Sequence, residues 1–347
     1  MSLPYLQNNW GLSNGLQTMN ASAGGSVGGW VELARGTGSS IDITSIADKR
    51  YYMILSMPII NTTSPIPAWR FNSDTGSNYA ERYSGDGAAD ATRTSQARFF
   101  TDTAPSGTHW FNVQYISNLA GKEKLVQTWM ASNRVGTGAA NAPSRMEHTA
   151  KWANTTNAID EVEMININSG SLATTSEMVV LGWDPADTHT TNFWTELASV
   201  DQSTGAATLS SGTITAKKYL WIQCFSQNAS SANTSVQLNN DTSGNYANRY
   251  SIDGGADTTA GSQIIAWTKL NSNTFPCFTN MFIINNSANE KLMFGHTVTQ
   301  NTAGAGTAPK RDEFANKWVN TSAQITEIDF LAASGNITGN LRVWGSD

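Results

Sequence analysis

Polar and apolar residues alternate along most of this chain. In RYYMILSMPII (50–60), Met53, Leu55 and Met57 fall on one face of an extended segment, and 167 positions later Leu220, Ile222 and Cys224 do the same. Two different stretches that keep apolar residues at the same alternate positions predict half-buried strands. Val162 and Met164 alternate with acids, and Ile328 and Phe330 repeat the arrangement. The apolar runs VVLGW and LRVWG close the two series. Short clusters (DTG, GDG, DGG, NSG, SGN) supply the turn chemistry between runs. One segment per series reads as a short helix. Pro143 and Pro309 suit a first helical turn, and Glu147–Lys151 and Glu313–Lys317 are i,i+4 pairs in the helix-favouring order.

The two series are one sequence written twice. RFNSDTGSNYAERYSGDGAAD (70–90) returns as QLNNDTSGNYANRYSIDGGAD (237–257). Asn72, Asp74, Asn78, Tyr79 and Arg82 meet Asn239, Asp241, Asn245, Tyr246 and Arg249 at one spacing. Glu123-Lys124-Leu125 meets Glu290-Lys291-Leu292, and PSRMEHTAKWANTT meets PKRDEFANKWVNTS one residue closer, with Trp152 opposite Trp318. A self-match this long means two domains, not a solenoid of ~20–50-residue units. The division is an N-terminal arm (1–20), copy 1 (21–183), a linker (184–192) and copy 2 (193–347). Many short strands and one minor helix per copy predict an all-β chain of two tandem antiparallel, jelly-roll-like sandwiches.

Composition narrows the function classes. Charged residues make up only 14% and the formal net charge is −6, so a phosphate-tracking surface is not expected. The start, MSLPYLQNNWGL, lacks a basic n-region and a long apolar h-region, and no segment nears the ~20 apolar residues of a membrane span. The expectation is a soluble protein made in a cytoplasm, with no nucleic-acid or membrane partner. Cys224 and Cys277 both lie in copy 2, opposite Met57 and Trp110, and read as free apolar residues in core positions. No metal-ligand spacing accompanies them, and no cofactor is called for.

The repeated polar stretch has two readings. Asn72, Asp74, Asn78 and Asp86 offer oxygens close together, as calcium needs. The spacing is not that of an EF-hand loop, and Asx side chains closing their own turns explain it better. Arg82 is a bidentate partner for an Asp, and Tyr79 and Tyr83 share a strand face. Glu161 with Glu163, and Glu327 with Asp329, have the look of a glycosidase carboxylate pair. Because Val162 and Met164 between and beside them are apolar, the acids read as the solvated face of a strand. His109, His148, His189 and His296 have no counterparts and no triad or metal spacing, so no catalytic residue is expected. Trp30 and Trp194 match and are assigned to cores. Among tryptophans without a counterpart, Trp10, Trp129 and Trp221 are candidates for an interface or for stacking on a sugar.

The strings RFN-x-DTG-x-NYA-x-RYS and P-x-R-x-E-x-x-x-KW-x-NTS resemble a recurrent module in virion proteins of tailed bacteriophages, over residues 50–183 and 218–347. Copy 1 departs with Thr156 where the pattern has Ser. Copy 2 has Gln237-Leu238-Asn239 where RFN stands in copy 1, which puts a role for that Arg in question. The resemblance implies a virion β-sandwich with no catalytic residues, assembled in a host cytoplasm beside major capsid or tail proteins. Surface proteins of this kind favour closed homo-oligomers, with a trimer the expected form. A carbohydrate- or receptor-binding tail protein or head fibre is the alternative, and a glycan-degrading enzyme the third reading.

Overall fold

The computed structural model describes residues 29–187 and 191–347. The arm at 1–20, Trp10 within it, and His189 lie outside the described residues. Every regular element among the described residues is a strand. Copy 1 contains β1 (Val31–Thr37), β2 (Ile41–Ile43), β3 (Tyr51–Met57), β4 (Pro67–Phe71), β5 (Tyr79–Gly85), β6 (Ala91–Gln96), β7 (Phe99–Phe100), β8 (Trp110–Ser117), β9 (Lys124–Ser132), β10 (Ser144–Trp152), β11 (Val162–Asn166) and β12 (Glu177–Trp183). Copy 2 contains β13 (Thr195–Ala206), β14 (Thr208–Ser210), β15 (Tyr219–Asn228), β16 (Ala232–Leu238), β17 (Tyr246–Ile252), β18 (Thr258–Gln263), β19 (Ala266–Asn273), β20 (Cys277–Ile284), β21 (Lys291–Thr299), β22 (Lys310–Trp318), β23 (Ile328–Ala332) and β24 (Ile337–Ser346).

Each copy is a sandwich of a large and a small sheet. In copy 1 the eight-stranded sheet runs β1-β12-β3-β8-β9-β10-β5-β6 and the four-stranded sheet β2-β11-β4-β7. Copy 2 repeats both orders, as β13-β24-β15-β20-β21-β22-β17-β18 and β14-β23-β16-β19. Ile54, Trp69, Phe71, Tyr79, Trp152 and Val162 meet between the sheets of copy 1. Ile222, Leu238, Tyr246, Trp318 and Ile328 do so in copy 2. Cys224 and Cys277 are free and buried.

The segments expected to be helical are strands β10 and β22. Glu147 and Lys151 are four apart, and that spacing returns to one face of a strand as readily as of a helix. The full run decides it. Met146, His148, Ala150 and Trp152 are buried while Thr149 and Lys151 between them are exposed, a period of two. Lys151 pairs with Glu123 across the sheet at 2.9 Å.

A third apolar core joins the copies. Met53, Leu55, Met57, Phe111 and Val113 of the first large sheet pack against Tyr219, Trp221, Phe282 and Phe294 of the second, with Trp30 and Trp194 in the same cluster. The molecule is therefore four sheets deep, small–large–large–small, and the matched Trp30 and Trp194 serve this seam.

The seam also corrects the register drawn from sequence. Met53, Leu55 and Met57 face the other copy, whereas Leu220, Ile222 and Cys224 face their own small sheet. Tyr52 lies opposite Gly182 and Ile116, and Leu220 lies opposite Gly345 and Ile283. Tyr52 is thus the counterpart of Leu220, one residue from the match at constant spacing. A one-residue slip moves every side chain to the other face. Here both faces are apolar, so the slip leaves no trace in the polarity pattern.

Candidate functional site

The repeated polar stretch builds a corner, identically in both copies. Asn72 and Ser73 have φ of 52° and 48°, and the Asp74 N–H bonds the Phe71 carbonyl at 3.0 Å. Asn239 and Asn240, at 51° and 54°, repeat the turn. Asx residues tolerate this left-handed region better than most. The Asn72 side chain donates to the Ala158 carbonyl at 2.8 Å and accepts from the Asp160 and Glu161 N–H groups. Asn239 does the same with Gln324, Thr326 and Glu327. Asp74 accepts from the Gly76 N–H, from Asn78, and from Trp152 Nε1 at 2.7 Å. Asp241 accepts from Ser243, Asn245 and Trp318 Nε1 in the same way. The Tyr79 hydroxyl accepts from Phe71 N at 2.8 Å, as Tyr246 does from Leu238 N.

These bonds occupy the oxygens a calcium ion would use. Burial alone raises the Asp74 carboxyl, but the bonds from Trp152, Asn78 and Gly76 outweigh it and hold the group below its usual range. Asp241 is held down against its own burial by Asn245, Trp318 and Ser243. The EKL repeat is structural too. Lys291 Nζ donates to the carbonyls of Asn320 at 2.6 Å and Asn289 at 3.1 Å, and burial lowers its pKa to about 8. Lys124 caps the Lys122 and Asn154 carbonyls at the equivalent place.

The acid pairs are not the solvated face expected of them. Glu163 is buried and clasped by both ends of the Arg70 guanidinium, with Nη2 at 2.6 Å. Asp329 is buried without an Arg, because Gln237 stands where Arg70 does, and its burial raises its pKa. The departure from RFN in copy 2 therefore falls on an ion pair and leaves the turn intact. Glu161 accepts from Ser73 and is raised chiefly by burial, with Asp42 nearby. Arg82 makes a single exposed contact with Asp90 at 3.6 Å, in place of the bidentate pair. Tyr79 is in the core, whereas Tyr83 is half-buried against His148 and Arg93.

The cleft with chemistry left over lies in the seam. It encloses about 330 Å³ between β9–β10 and β20–β21, walled by Tyr115, Trp129, Phe282 and Phe294, with Gln127, Asn280, Arg145, Glu147 and His296 around them. Trp129 and His296 occupy equivalent positions opposite Glu147 and Glu313, and their rings meet edge-on at 6.0 Å. Arg145 Nη1 is 2.7 Å from Glu147 and 2.9 Å from Glu313, and its Nη2 is 2.7 Å from Asp257. Desolvation opposes the charge on Arg145, but these three carboxylates raise its pKa. Burial raises Glu147, and His296 with Arg145 and Arg311 bring it below its usual range. Ligand atoms of Glu147, His296 and Glu313 lie within 4.8 Å of one another. The guanidinium already bridges the two carboxylates, so a divalent ion would face a fixed positive charge.

Of the tryptophans singled out from sequence, Trp129 is half-exposed on this cleft. Trp221 is fully buried, stacked on Phe282 and bonded to Asn280, so it holds the copies together and offers no face to a sugar. Sequence reading missed Arg145, Glu147 and His296 as a group. The signal was present in the matched Arg145/Arg311 and Glu147/Glu313, but the helical reading spent it on a surface pair.

No protein-family model matches the chain, and no curated protein matches it. Among solved structures, mouse laminin alpha1 chain domains LG4-5 is similar at 10% identity, covering 92% of this chain and 90% of that chain, with a TM-score of 0.20. A likeness at that level carries no argument about function.

Proposed function

We propose that the chain is a structural virion protein of a tailed phage that decorates or cements the capsid, or belongs to the tail, through oligomeric jelly-roll-like interfaces and without catalysis. The observation that carries this reading is how the repeated motif is spent. Asn72, Asp74, Tyr79 and Trp152 and their counterparts are consumed by the fold, and the surplus chemistry lies at contacts between sandwiches. A rigid block with low charge suits a particle surface, and the two strings that resemble phage virion modules point the same way. The protein should co-purify with particles at a fixed copy number, and deletion of residues 1–20 should release it. Particles that hold none of it refute the reading.

One observation favours a second reading. The cleft around Trp129 combines a half-exposed aromatic face with Gln127, Asn280, Arg145 and Glu147, a set that can stack on a sugar and bond its hydroxyls. Glycan-array binding that disappears in Trp129→Ala would support a receptor-binding protein, and a blank array removes that reading.

A further inference from the structure

The seam is asymmetric, and among the described residues that asymmetry leaves two matching surfaces uncovered. Copy 1 contributes the end of its large sheet that carries Met57, Phe111 and Ala131. Copy 2 contributes the opposite end, with Tyr219, Leu292 and Phe294. Phe111 lies 5.3 Å from Phe294 and 6.3 Å from Tyr219, ring centre to ring centre. Each copy therefore keeps one end open among the described residues. On copy 2 it carries Phe225, Phe278 and Val298, all exposed, at the places of Met57, Phe111 and Ala131. On copy 1 it carries Leu125 in a cleft with Tyr51, Tyr115 and Trp183. Leu125 is 57% exposed where its counterpart Leu292 is fully buried, and Phe278 is 40% exposed where Phe111 is fully buried.

We propose that the open end of copy 2 docks on the open end of copy 1 in a second molecule of this chain, head to tail, repeating the contact that joins the copies internally. The polar rim supports this occupant. In the seam Arg145 meets Asp257 and Glu313, and Arg249 donates to the Pro143 carbonyl at 2.6 Å. The open ends carry the same residue types in exposed positions: Arg311 on copy 2, paired within its own copy to Glu313 at 2.9 Å with its side chain 57% exposed, and Arg82 with Asp90 on copy 1. Arg82 and Asp90 side chains are 59% and 55% exposed, against 12% and 2% for Arg249 and Asp257. The intermolecular contact is weaker than the internal one. Gln127 stands for Phe294, and Thr94 stands for Gly261, where the Ala139 and Ala140 carbonyls would meet an added Cβ below 3.0 Å. Such a heterologous contact closes into a ring or grows into a filament. It does not rest on the virion reading, and failure to find the protein in particles would leave it standing.

Sedimentation velocity of the full chain over a concentration series tests it. The chain should associate with rising concentration, and Phe278→Asp or Leu125→Asp should each weaken association by about tenfold or more. Each variant spoils one end and keeps the other. A mixture of the two should therefore form a one-to-one dimer and stop there, which misfolded chains could not do. A wild-type chain that stays monomeric, a variant that associates as well as wild type, or a mixture that fails to dimerise would overturn the proposal. So would a monomeric chain that begins to assemble only after removal of residues 1–28, because the surface would then belong to that segment.

Discussion

Phe111 and Phe278 allow the seam to be weighed with one substitution made twice. Both are phenylalanines at equivalent positions, on β8 and β20, opposite Ala131 and Val298. Phe111 is fully buried between the copies, against Phe294 and Tyr219. Truncation of such a ring to alanine costs ~3–5 kcal/mol, the transfer loss plus the cavity left behind. Phe278 is 40% exposed, and removing it leaves an open dent that water fills. Its cost should be about 1–2 kcal/mol, from partial loss of buried apolar area. Phe111→Ala should thus be less stable than Phe278→Ala by roughly 2–3 kcal/mol. Urea unfolding followed by tryptophan fluorescence, at concentrations where the chain is monomeric, reads this directly. Trp30, Trp194, Trp221 and Trp344 all lie in the seam cluster and report on it. Because one apolar core spans both copies, the wild type should unfold in a single transition. Equal losses from the two variants would refute the shared core, and so would a wild type that unfolds in two steps.

Further outcomes follow from the corners. Tyr79→Phe and Tyr246→Phe each strand a buried backbone N–H and should both cost ~1–3 kcal/mol in the same urea assay, equal where the seam pair is unequal. Asp74 and Asp241 have folded pKa values depressed below 3.8, so their stabilisation is present above that pH and is lost as pH falls toward the folded values. An acid titration of Asp74→Asn/Asp241→Asn should be shallower than wild type below about pH 4. Lys291 is depressed from 10.5 to about 8, so the unfolded chain binds the extra proton between those values and stability should rise with pH there. Lys291→Met should flatten that rise and, by leaving carbonyls unpaired, cost ~1–3 kcal/mol near neutrality.

Strands, turns and the duplication were legible because they are local. The Asx corners could be read from Asn72 and Asp74, whose partners lie within one copy. The packing of one copy on the other was not legible. Strands β3 and β15 are apolar on both faces, so neither the register between copies nor the second buried face can be read from their alternation. The spacing of Glu147 and Lys151 fits a strand or a helix, and the wrong choice hid Arg145 and Glu147 from the seam. Trp221 and Trp129 look alike in sequence because both lack a counterpart. Only the stagger of the two large sheets buries the first and leaves the second half-open.

That stagger explains why the polar sentence is written twice with such fidelity. Its first half, Asn72 to Tyr79, makes the same bonds in both copies, and the fold alone is reason to keep it. Its second half does not. Asp257 is buried against Arg145 of the other copy and Arg249 reaches Asp86 and the Pro143 carbonyl there, whereas Arg82 and Asp90 pair with each other in solvent, a contact worth ~0–1 kcal/mol. The side of the seam that copy 1 supplies is duplicated as well, since Arg311 and Pro309 repeat Arg145 and Pro143 on copy 2, where Arg311 pairs with Glu313 of its own copy and its side chain stays 57% exposed. Internal stability requires one set of these residues. Two complementary spare sets, at opposite ends of one molecule, are what a contact repeated from chain to chain requires. The charge pair gives that contact its register, and Phe225, Phe278 and Val298 against Leu125 and Tyr51 give it buried area.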